Sequence, residues 1–284
     1  MGMNTGSQKI IADLLSARTG QQLTEDRSWR IGTALSGIFR QIGISNVDQL
    51  VCLLDQPAYS TLAQQVVEAL LNNETYFFRD RAMFDQLSHH VLPQIAKQRK
   101  DEKTLSILCV GCSTGQEALS LGMMLLEQKT RWAGWKLDIT GIDISHEAIA
   151  TARASTYSQF EIQRGLPVSQ MLAHFNETPM GWEANEDLRA LMRFRVHNLL
   201  DPMSVIRPFD LILCRNVLLY FDSETRQRAF ARLMEVLHPD GWIMLGAGET
   251  IVGHTDELAL VKGGIGLYRP VKSDLADQYE VCVR

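Results

Sequence analysis

A glycine-containing turn is the first feature of the sequence whose residue types suggest chemistry. Gly111-Cys112-Ser113-Thr114-Gly115 lies between an apolar run that ends at Val110 and a helical stretch that opens with Gln116-Glu117. Glycines let a ligand approach the backbone of such a turn, and the amino end of the helix attracts polar and anionic groups. The turn has neither a G-x-G-x-x-G pattern nor a G-x-x-x-x-G-K-S/T pattern. A dinucleotide and a nucleoside triphosphate are therefore poor fits.

An aspartate ends the next strand of the chain, in Gly141-Ile142-Asp143. Ligands of open α/β sheets bind at the carboxyl ends of the strands, and a carboxylate there can accept hydrogen bonds from both hydroxyls of a ribose. The alternative is that Asp143 only caps the following helix. The glycine turn one strand earlier favours the ribose interpretation. S-adenosylmethionine fits this pattern because it has a ribose but no phosphate.

The same turn also matches the G-x-S-x-G nucleophile elbow of serine hydrolases, with Ser113 as the nucleophile. Asp210 and His254 follow in the chain order that such an enzyme requires. However, the hydrolase fold needs several strands before the elbow, whereas the chain upstream of the turn has a helical pattern. A hydrolase also gives no reason for Asp143. A serine hydrolase or esterase using Ser113 therefore remains an alternative and not the favoured interpretation.

The five cysteines, at positions 52, 109, 112, 214 and 282, are an odd and scattered set. This distribution is unlike the framework of a disulfide-stabilised scaffold. Cys109 and Cys112 form a C-x-x-C pair, but no second pair completes a tetrahedral zinc site. We expect buried thiols and no metal.

The amino-terminal seventy residues show a helical pattern, which ends before a change of pattern at Leu105. Apolar residues recur there at three- and four-residue spacing, from Ile10 to Leu71, which predicts a small helical domain. From Leu105 onward, short β-rich runs alternate with helical stretches, which predicts an α/β domain with a largely parallel sheet. The predicted strands are Leu105–Val110, Leu137–Ile142, Phe194–Val196, Phe209–Cys214, Trp242–Gly246 and Ile265–Tyr268. The predicted helices include Gln116–Glu127, Glu147–Ala154 and Ser223–Leu237, the last ended by His238-Pro239-Asp240-Gly241. The stretch from Arg164 to Met192 breaks the alternation with neither a clear helix nor a buried strand, which suggests an insertion that carries a small subdomain.

Composition limits the classes of function. The chain has 284 residues, 45% of them apolar, and a formal net charge of −5, which argues against a strongly basic surface for nucleic acid. The longest apolar run, Leu119 to Leu126, is far shorter than the roughly 20 residues of a transmembrane helix. The amino end carries no signal for secretion or lipid attachment. We therefore expect a cytoplasmic protein.

Five segments together resemble the CheR family of chemoreceptor protein-glutamate O-methyltransferases, and they occur in the order of that family's signatures. The resemblance covers about residues 10 to 270. The segments are Asn73-Glu74-Thr75-Tyr76-Phe77-Phe78-Arg79-Asp80, Cys112-Ser113-Thr114-Gly115-Gln116-Glu117, Arg164-Gly165-Leu166-Pro167, Asn198-Leu199-Leu200 and Cys214-Arg215-Asn216-Val217-Leu218-Leu219-Tyr220-Phe221.

The resemblance implies an α/β fold, namely a class I S-adenosylmethionine methyltransferase (Rossmann-like) domain with an N-terminal all-helical domain and a small inserted β-subdomain. The corresponding boundaries are 1–85 for the helical domain and linker, 86–284 for the methyltransferase domain, and about 164–193 for the insertion. The implied cofactor is S-adenosylmethionine, with S-adenosylhomocysteine as the product and no metal. The implied partner is the cytoplasmic helical region of methyl-accepting chemoreceptors. We expect a monomer that neither binds nucleic acid nor inserts into a membrane.

The resemblance also implies the residues of the site. The implied cofactor-binding residues are Asn73, Thr75, Arg79, Glu117, Asp143, Asn198, Leu199, Arg215 and Asn216. Arg79 and Tyr220 are implied to lie nearest the transferred methyl group, where Arg79 would hold the acceptor carboxylate and Tyr220 would orient it. A glutamate side chain is already ionised at neutral pH, so positioning and desolvation would supply most of the catalysis. A non-catalytic S-adenosylmethionine-binding adaptor is the alternative to an enzyme.

Two segments depart from the family pattern. Ala118-Leu119-Ser120 stands where the family usually has Pro-Tyr-Ser, and Gly246-Ala247-Gly248-Glu249 stands where it has a Gly-His-Ser-Glu-like segment. The first removes an aromatic ring near the turn, and the second removes a possible imidazole. Neither contains a residue of the implied site.

The insertion and the helical domain bear on partner recognition. Some family members capture a receptor pentapeptide by strand addition, and others use the amino-terminal helices. The segment 176–187 offers only a short hairpin in which Pro179 limits the backbone donors. We therefore predict that binding does not depend on a pentapeptide, and that Arg27, Arg30 and Arg40 form a docking face for an acidic helical bundle. The alternative is that these arginines are an ordinary solvated helix face.

Overall fold

The structure, a computed structural model, describes residues 5–23 and 30–271. The chain forms two compact units. One combines the residues up to Asn72 with the segment Tyr220–Thr225, and the other combines Asn73–Leu219 with the residues from Arg226 onward. The predicted domain boundaries at 1–85, 86–284 and about 164–193 remain predictions.

The first unit is helical, as the apolar spacing predicts. Its helices are α1 (Thr5–Thr19), α2 (Arg30–Ala34), α3 (Ser36–Ile42), α4 (Val47–Leu54) and α5 (Leu62–Leu70), with a 3₁₀ turn at Pro57–Tyr59. Gly43 ends α3 in the left-handed conformation, and the Asn46 side chain caps α4 by accepting a hydrogen bond from Gln49 N. The core of the unit consists of Ile11, Ile31, Leu35, Ile38, Val47, Leu50, Leu62 and Val66.

The segment Tyr220–Thr225 is tied to the amino-terminal part of this helical unit by backbone and side-chain bonds. Gln21 and Phe221 form an antiparallel bridge, and Gln22 N donates to Tyr220 O at 2.7 Å. The Gln22 side chain donates to Asp222 Oδ2 at 3.0 Å. Two distant parts of the chain therefore form one unit.

The second unit is an α/β domain. Its helices are α6 (Arg81–Gln86), α7 (Leu92–Gln98), α8 (Gln116–Glu127), α9 (His146–Ala154), α10 (Gln159–Gln163), α11 (Val168–His174), α12 (Glu186–Ala190) and α13 (Ser223–Val236), with a π-helical turn at Leu87–Val91 and a 3₁₀ turn at Leu218–Tyr220. Its strands are β1 (Thr104–Val110), β2 (Lys136–Asp143), β3 (Thr156–Tyr157), β4 (Phe175–Thr178), β5 (Gly181–Ala184), β6 (Met192–Val196), β7 (Phe209–Cys214), β8 (Leu237–Leu245), β9 (Leu258–Leu260) and β10 (Leu267–Pro270). The first residues of α13 belong to the helical unit.

Seven strands form one sheet in the order β6-β2-β1-β7-β8-β10-β9. The first five strands are parallel, and β10 runs antiparallel to both β8 and β9. This order confirms the predicted class I methyltransferase fold. The central strands β1 and β7 are almost wholly buried.

Three strands differ from the prediction by two or more residues at an end, and the first of them is β6, which begins at Met192 and not at Phe194. β8 begins at Leu237 and not at Trp242, because Leu237 already pairs with Phe209 before an irregularity in the ladder. The Pro-Asp-Gly sequence that resembles a helix stop therefore lies inside the strand. β10 is displaced by two residues from the predicted Ile265–Tyr268.

A second, antiparallel sheet has the order β3-β5-β4. β4 and β5 form a hairpin within the irregular stretch 164–192. This stretch begins just after α10 and also contains the short helices α11 and α12. The expectation that this stretch has no clear helix is therefore wrong. Asn185 caps α12 by accepting a hydrogen bond from Leu188 N, and Pro167 precedes α11. These residues begin helices that are too short to show an apolar period in the sequence.

A buried ion-pair network joins four elements at the amino ends of the central strands. The Nε of Arg99, just after α7, donates to Asp210 Oδ1 in β7 at 2.7 Å. Another nitrogen of Arg99 donates to Asp240 Oδ2 in β8 at 3.0 Å. Asp210 also accepts from Ser106 N of β1 at 2.8 Å. The network fixes the register of these strands relative to the preceding helix.

In the part of the chain that the structure describes, no helix is long and apolar enough to cross a membrane. Among the same residues, no cluster of three or more histidine, cysteine or acidic side chains has a metal-binding arrangement. Cys109, Cys112 and Cys214 are buried free thiols and Cys52 is an exposed one, whereas Cys282 lies outside the described residues. Burial raises the pKa of the Cys109 and Cys112 thiols, which disfavours the thiolate needed for metal binding.

Candidate functional site

Several predicted site residues of the second unit follow neighbouring strands of the sheet at their carboxyl ends. The glycine turn follows β1, Asp143 ends β2, Asn198 and Leu199 follow β6, and Arg215 and Asn216 follow β7. The chain order reverses between β1 and β7, which is the switch point where open α/β sheets bind ligands. The topology therefore gathers these residues at one edge of the sheet.

The glycine turn is held open by left-handed residues and by its neighbours. Gly111, Ser113 and Gly115 have φ values of 64°, 49° and 98°. A Cβ on Gly111 would lie 2.4 Å from Val217 Cγ2, so the close approach requires glycine there. Tyr157 of β3 donates from its hydroxyl to Thr114 O at 2.7 Å. The small antiparallel sheet therefore supports the turn directly.

Asp143 connects the end of β2 to this turn. Its Oδ2 accepts a hydrogen bond from Ser113 N at 2.8 Å, and its Oδ1 accepts one from Ser145 N at 2.9 Å. The adjacent cap of α9 is made by Ser145, whose side chain accepts from Ala148 N. Asp143 therefore does not serve as the helix cap. The two oxygens of a carboxylate offer about four acceptor positions in all.

Glu117 and Arg215 form a nearly buried pair across the switch point. Arg215 Nη1 donates to Glu117 Oε2 at 2.7 Å, and the exposed fractions of the two side chains are 1% and 14%. Burial raises the pKa of Glu117 above its ordinary value, and the charge of Arg215 opposes this rise. The buried Arg215 Nε has no hydrogen-bond partner among the described residues. An anionic group of a ligand would satisfy this donor.

The segment 73–80 is anchored to the turn, to α8 and to Arg215. Ser113 Oγ donates to Asn73 O at 2.7 Å, and Phe78 N donates to Ser120 Oγ at 3.0 Å. Arg215 Nη2 donates to Arg79 O at 2.8 Å. Ser120 belongs to one of the two segments that depart from the family pattern, and its contact with Phe78 was not foreseen from the sequence.

The backbone on both sides of Arg79 is strained. Phe78 and Asp80 have φ values of 51° and 60°, a left-handed conformation that is uncommon for residues other than glycine and costs about 1–3 kcal/mol per residue. Arg215 Nη2 also donates to Asp80 Oδ2, at 2.6 Å. The surrounding bonds therefore maintain a conformation that fixes the position of Arg79.

The side chain of Arg79 has few structural contacts. Its Nη1 donates to Glu74 O at 3.1 Å, and its guanidinium carbon lies 5.7 Å from the Tyr76 ring centre. Arg164 of the Arg-Gly-Leu-Pro segment lies 4.6 Å from the same ring centre and donates to Glu74 Oε1 at 2.6 Å. Hydrogen bonding to Arg164 lowers the pKa of Glu74. Two of the sequence motifs therefore meet around Tyr76.

The remaining predicted residues are placed as follows. Asn198 is partly exposed and accepts a hydrogen bond from Leu200 N at 3.0 Å, Leu199 is buried, and Thr75 is partly exposed. Tyr220 belongs to the helical unit, where its hydroxyl accepts from Asn72 Nδ2 at 2.7 Å. The structure thus brings those predicted cofactor residues that follow strands to one edge of the sheet, and it assigns Tyr220 to the other unit.

The serine hydrolase arrangement is contradicted by the positions of its residues. Asp210 is bonded to Ser106 N, four residues or about 13 Å before the end of β1, whereas Ser113 follows that end. His254 stacks on Phe230, with the ring centres 6.4 Å apart. The Ser113 hydroxyl donates to Asn73 O. These three residues do not form a catalytic triad.

Glu249 is a residue of the site region that sequence reasoning missed. Its carboxylate accepts hydrogen bonds from Asn216 N and Gly246 N through Oε2, at 2.9 and 2.8 Å, and from Val217 N and Leu219 N through Oε1, at 2.9 and 3.2 Å. Asn216 has a φ of 61°. Glu249 therefore joins the loops after β7 and β8 and holds Asn216 in a left-handed conformation. The only available signal was an acidic residue in a glycine-rich segment.

Replacing Glu249 by alanine is expected to weaken S-adenosylhomocysteine binding about tenfold and to lower the free energy of unfolding by about 2–3 kcal/mol, because buried N–H groups lose their acceptor. Calorimetric titration and urea unfolding measure the two effects. Glu249→Gln keeps one acceptor oxygen, so we expect it to lose less affinity and less stability. Glu257→Ala, at an exposed glutamate of the same unit, is the control. Unchanged affinity in Glu249→Ala would show that the loop does not need this anchor.

Comparison with known proteins adds independent findings. A family model described as CheR methyltransferase, SAM binding domain, matches residues 73–266. Chemotaxis protein methyltransferase 1 of Pseudomonas aeruginosa is 31% identical over 89% of this chain and 93% of its own length. Chemotaxis protein methyltransferase Cher2 of Pseudomonas putida is 29% identical over 91% and 95%. A probable biofilm formation methyltransferase of Pseudomonas putida, WspC, is 35% identical over 66% of this chain and 43% of its own length.

Proposed function

The chain belongs to the CheR methyltransferase family, and from this premise we propose that it transfers a methyl group from S-adenosylmethionine to glutamate side chains of chemoreceptors. The products are glutamate methyl esters and S-adenosylhomocysteine. The finding that carries the proposal is the match of residues 73–266 to a S-adenosylmethionine-binding domain of this family. The arrangement of acceptors and donors at the carboxyl edge of the sheet supports it.

The residues at that edge suit the parts of the cofactor. Asp143 would accept hydrogen bonds from the ribose hydroxyls, and Glu117 would accept from the amino group of the methionine moiety. Arg215 has a buried Nε available for the carboxylate, beside which Asn73, Thr75, Arg79 and Asn216 add further polar groups. Asn198 and Leu199, after β6, would contact the remaining part of the nucleoside. These assignments are our proposal.

The reaction needs little proton transfer. When bound, S-adenosylmethionine supplies a methyl group on a sulfonium centre, which a carboxylate oxygen takes as the carbon–sulfur bond breaks. Because the acceptor is an ionised glutamate, no protein residue must act as a strong base. Arg79 would hold the acceptor carboxylate in line with the methyl group through a charge-assisted bond. The role of Tyr220 in orienting the acceptor remains the proposal made from the resemblance.

A transfer assay tests the proposed function. The full chain is incubated with S-adenosylmethionine tritiated in its methyl group and with membranes that contain chemoreceptors. The radioactive methanol that base then releases from methyl esters is measured. Calorimetry with S-adenosylhomocysteine is done in parallel. Esters together with cofactor binding support the proposal. Binding without ester formation on any receptor would favour the non-catalytic adaptor, and absence of binding would overturn both.

Replacing Asp143 by alanine is expected to weaken cofactor binding by one to two orders of magnitude, or about 1.4–2.8 kcal/mol. The substitution removes the acceptors proposed for the ribose hydroxyls. Titration with S-adenosylhomocysteine measures the affinity, and circular dichroism checks the fold. Asp138→Ala is the matched control, because Asp138 lies in the same strand five residues earlier. An unchanged affinity in Asp143→Ala would remove the ribose assignment.

For partner recognition, we propose that the helical unit docks on the acidic helical region of the receptor and that a receptor pentapeptide is not required. Arg40 is exposed in α3, whereas Arg27 and the side chain of Arg30 lie outside the described residues. We also keep as proposals a monomeric state, a cytoplasmic location and no binding of nucleic acid.

Charge reversal at Arg40 is expected to raise the Michaelis constant for receptor several-fold and to flatten its dependence on salt, because long-range attraction is screened by ions. Initial rates at several salt concentrations measure both effects. Lys9→Glu, in α1 of the same unit, is the control for net charge. Submicromolar binding of an isolated peptide from the receptor carboxyl terminus would contradict the proposed mode of recognition.

A further inference from the structure

One face of the main sheet is unusually polar for a parallel sheet. In β2 and β6 the sequences Lys-Leu-Asp-Ile-Thr and Met-Arg-Phe-Arg-Val alternate between polar and apolar residues. The strand register places the polar residues side by side on one face. These residues are Thr104, Ser106, Lys136, Asp138, Thr140, Arg193 and Arg195. Parallel strands that are covered on both faces normally lack such alternation, so this face is open to water or to a ligand.

The connection between β6 and β7 explains why the face is open. Residues 197–208 contain no helix, so this connection supplies no cover for β1, β2 and β6. Helix α8 packs on the opposite face, because a Cβ on its Gly122 would touch Met192 and Ile139. The segment 204–207 lies over part of the open face and leaves a cavity of about 590 Å³.

Cations dominate the walls of this cavity, which we call the β6 groove. Its cationic residues are Lys136, Arg153, Arg189, Arg193, Arg195 and Arg207. Asp138 is the only acidic residue among the described residues that line it. Because the whole chain has a net charge of −5, this concentration of positive charge is opposite in sign to the rest of the molecule.

The cations are only partly neutralised by the protein. Arg193 Nε lies 3.6 Å from Asp138 Oδ2, and Arg207 Nη2 lies 3.4 Å from Asp210 Oδ2. Arg189 forms an ion pair with Glu183, which lies outside the groove lining. Lys136 and Arg195 are exposed, and neither forms an ion pair with a residue in the described ranges. A guanidinium has five N–H donors, so most donors around the groove remain available.

The groove also has hydroxyl and apolar groups. Thr104, Ser106, Thr140 and Ser204 supply hydroxyls along its floor and rim. Ile206, at the edge of the covering segment, has a fully exposed side chain. An exposed isoleucine beside a row of cations suits a ligand that carries both anionic groups and a flat apolar part.

We propose that the β6 groove binds a phosphorylated small molecule of nucleotide size. Guanidinium groups match phosphate oxygens in a bidentate manner, the volume lies within the roughly 300–1,000 Å³ of small-molecule sites, and Ile206 can cover a base. The groove extends from the amino ends of β1 and β2 along one sheet face. It is therefore separate from the candidate cofactor site at the carboxyl ends.

The test uses fluorescent N-methylanthraniloyl-GTP and the full chain, with S-adenosylhomocysteine present at saturation so that the candidate cofactor site is filled. Fluorescence polarisation is expected to show saturable binding. Arg195→Glu and Arg193→Glu should each weaken it about tenfold or more, since each removes a charge-assisted bond and introduces repulsion. Arg228→Glu, at an exposed arginine of α13 outside the groove, should leave it unchanged. Arg195→Gln provides a milder variant, and circular dichroism checks that every variant is folded.

Competition distinguishes the kinds of ligand. GTP should displace the probe, pyrophosphate should displace it more weakly, and guanosine should not displace it at accessible concentrations. Equal displacement by GTP and by polyglutamate would overturn the proposal in favour of an acidic protein segment. Absence of saturable binding, or binding that Arg195→Glu and Arg193→Glu leave unchanged, would also overturn it.

Discussion

Replacing Arg79 by alanine is expected to lower the turnover number for methyl transfer by about 10²- to 10³-fold, which is the usual loss when one preorganised donor is removed from a reacting centre. The fold should survive, because Arg79 is partly exposed and, within the described ranges, its side chain donates only to the carbonyl of Glu74. The backbone of Arg79 stays anchored through Arg215. The loss should therefore appear in the rate more than in stability.

Single-turnover measurements with a preformed complex of enzyme and S-adenosylmethionine separate the chemical step from binding. Arg79→Lys keeps the positive charge but not the planar fork, so we expect an intermediate rate. Arg81→Ala is the matched control, because Arg81 is exposed and contacts the Phe78 ring at 5.8 Å. A near wild-type rate in Arg79→Ala would remove this residue from the mechanism.

Replacing Asp210 by alanine should lower the free energy of unfolding by about 3–5 kcal/mol, because it leaves the charge of Arg99 buried with one partner fewer. The exposed fractions of the Arg99 and Asp210 side chains are 8% and 1%. Ser106 N would also lose its acceptor. Urea unfolding followed by circular dichroism measures the effect.

Two variants test whether the loss comes from the uncompensated charge. The double variant Arg99→Met with Asp210→Leu should recover much of the lost stability, since buried ion pairs can often be replaced by apolar residues. Asp201→Ala, at an exposed position, is the control. A double variant as unstable as Asp210→Ala alone would instead assign the loss to packing and to the Ser106 hydrogen bond.

The same network predicts a loss of stability in acid. Burial alone would raise the pKa of Asp240, but hydrogen bonding to Arg99 outweighs it and the pKa is lowered. A carboxylate with a lowered pKa stabilises the fold above its ordinary pKa, and this stabilisation is lost as the pH falls through the folded value. Weakening of the fold below about pH 4 is therefore part of the expected behaviour.

Much of the main sheet could be predicted from the sequence, because its central strands are apolar runs that end in glycine or polar residues. The bounds of α8 were predicted to the residue, since Gly115 and the apolar period define its ends. The beginning of β8 was not, because Pro239 and Gly241 have local preferences for turns. Pairing of Leu237 with Phe209 overrides those preferences.

The small antiparallel sheet was harder to predict. β4 and β5 have only four residues each, and β3 has two, so no local period can develop. Its stability comes from contacts distant in the chain. Phe77 packs edge-on against both Tyr157 and Phe175, with ring centres 5.3 and 5.6 Å apart. Such contacts leave no pattern in the sequence around each residue.

The candidate site, like the fold, could be predicted only in part from the sequence. The glycine turn and Asp143 follow from their positions at strand ends, and the other site residues came from the family resemblance. Glu249 bonds to backbone groups about thirty residues earlier, and Ser120 bonds to a backbone group 42 residues earlier. Both side chains form hydrogen bonds with distant backbone groups, and the residue type alone does not show which backbone group a side chain binds. Their contribution required the folded arrangement.

The division of the helical unit between two chain segments bears on how such proteins can be recombined. Residues 220–225 belong to that unit, although Tyr220 and Phe221 are the last residues of the motif that contains Arg215 and Asn216. A gene fusion that exchanged only the first 72 residues would separate Gln22 from Tyr220 and Asp222, its partners within the unit. A functional chimaera would have to exchange both segments together. Recombination during evolution should therefore have kept the two segments together. We expect substitutions in one segment to be accompanied by substitutions at the contacting positions of the other.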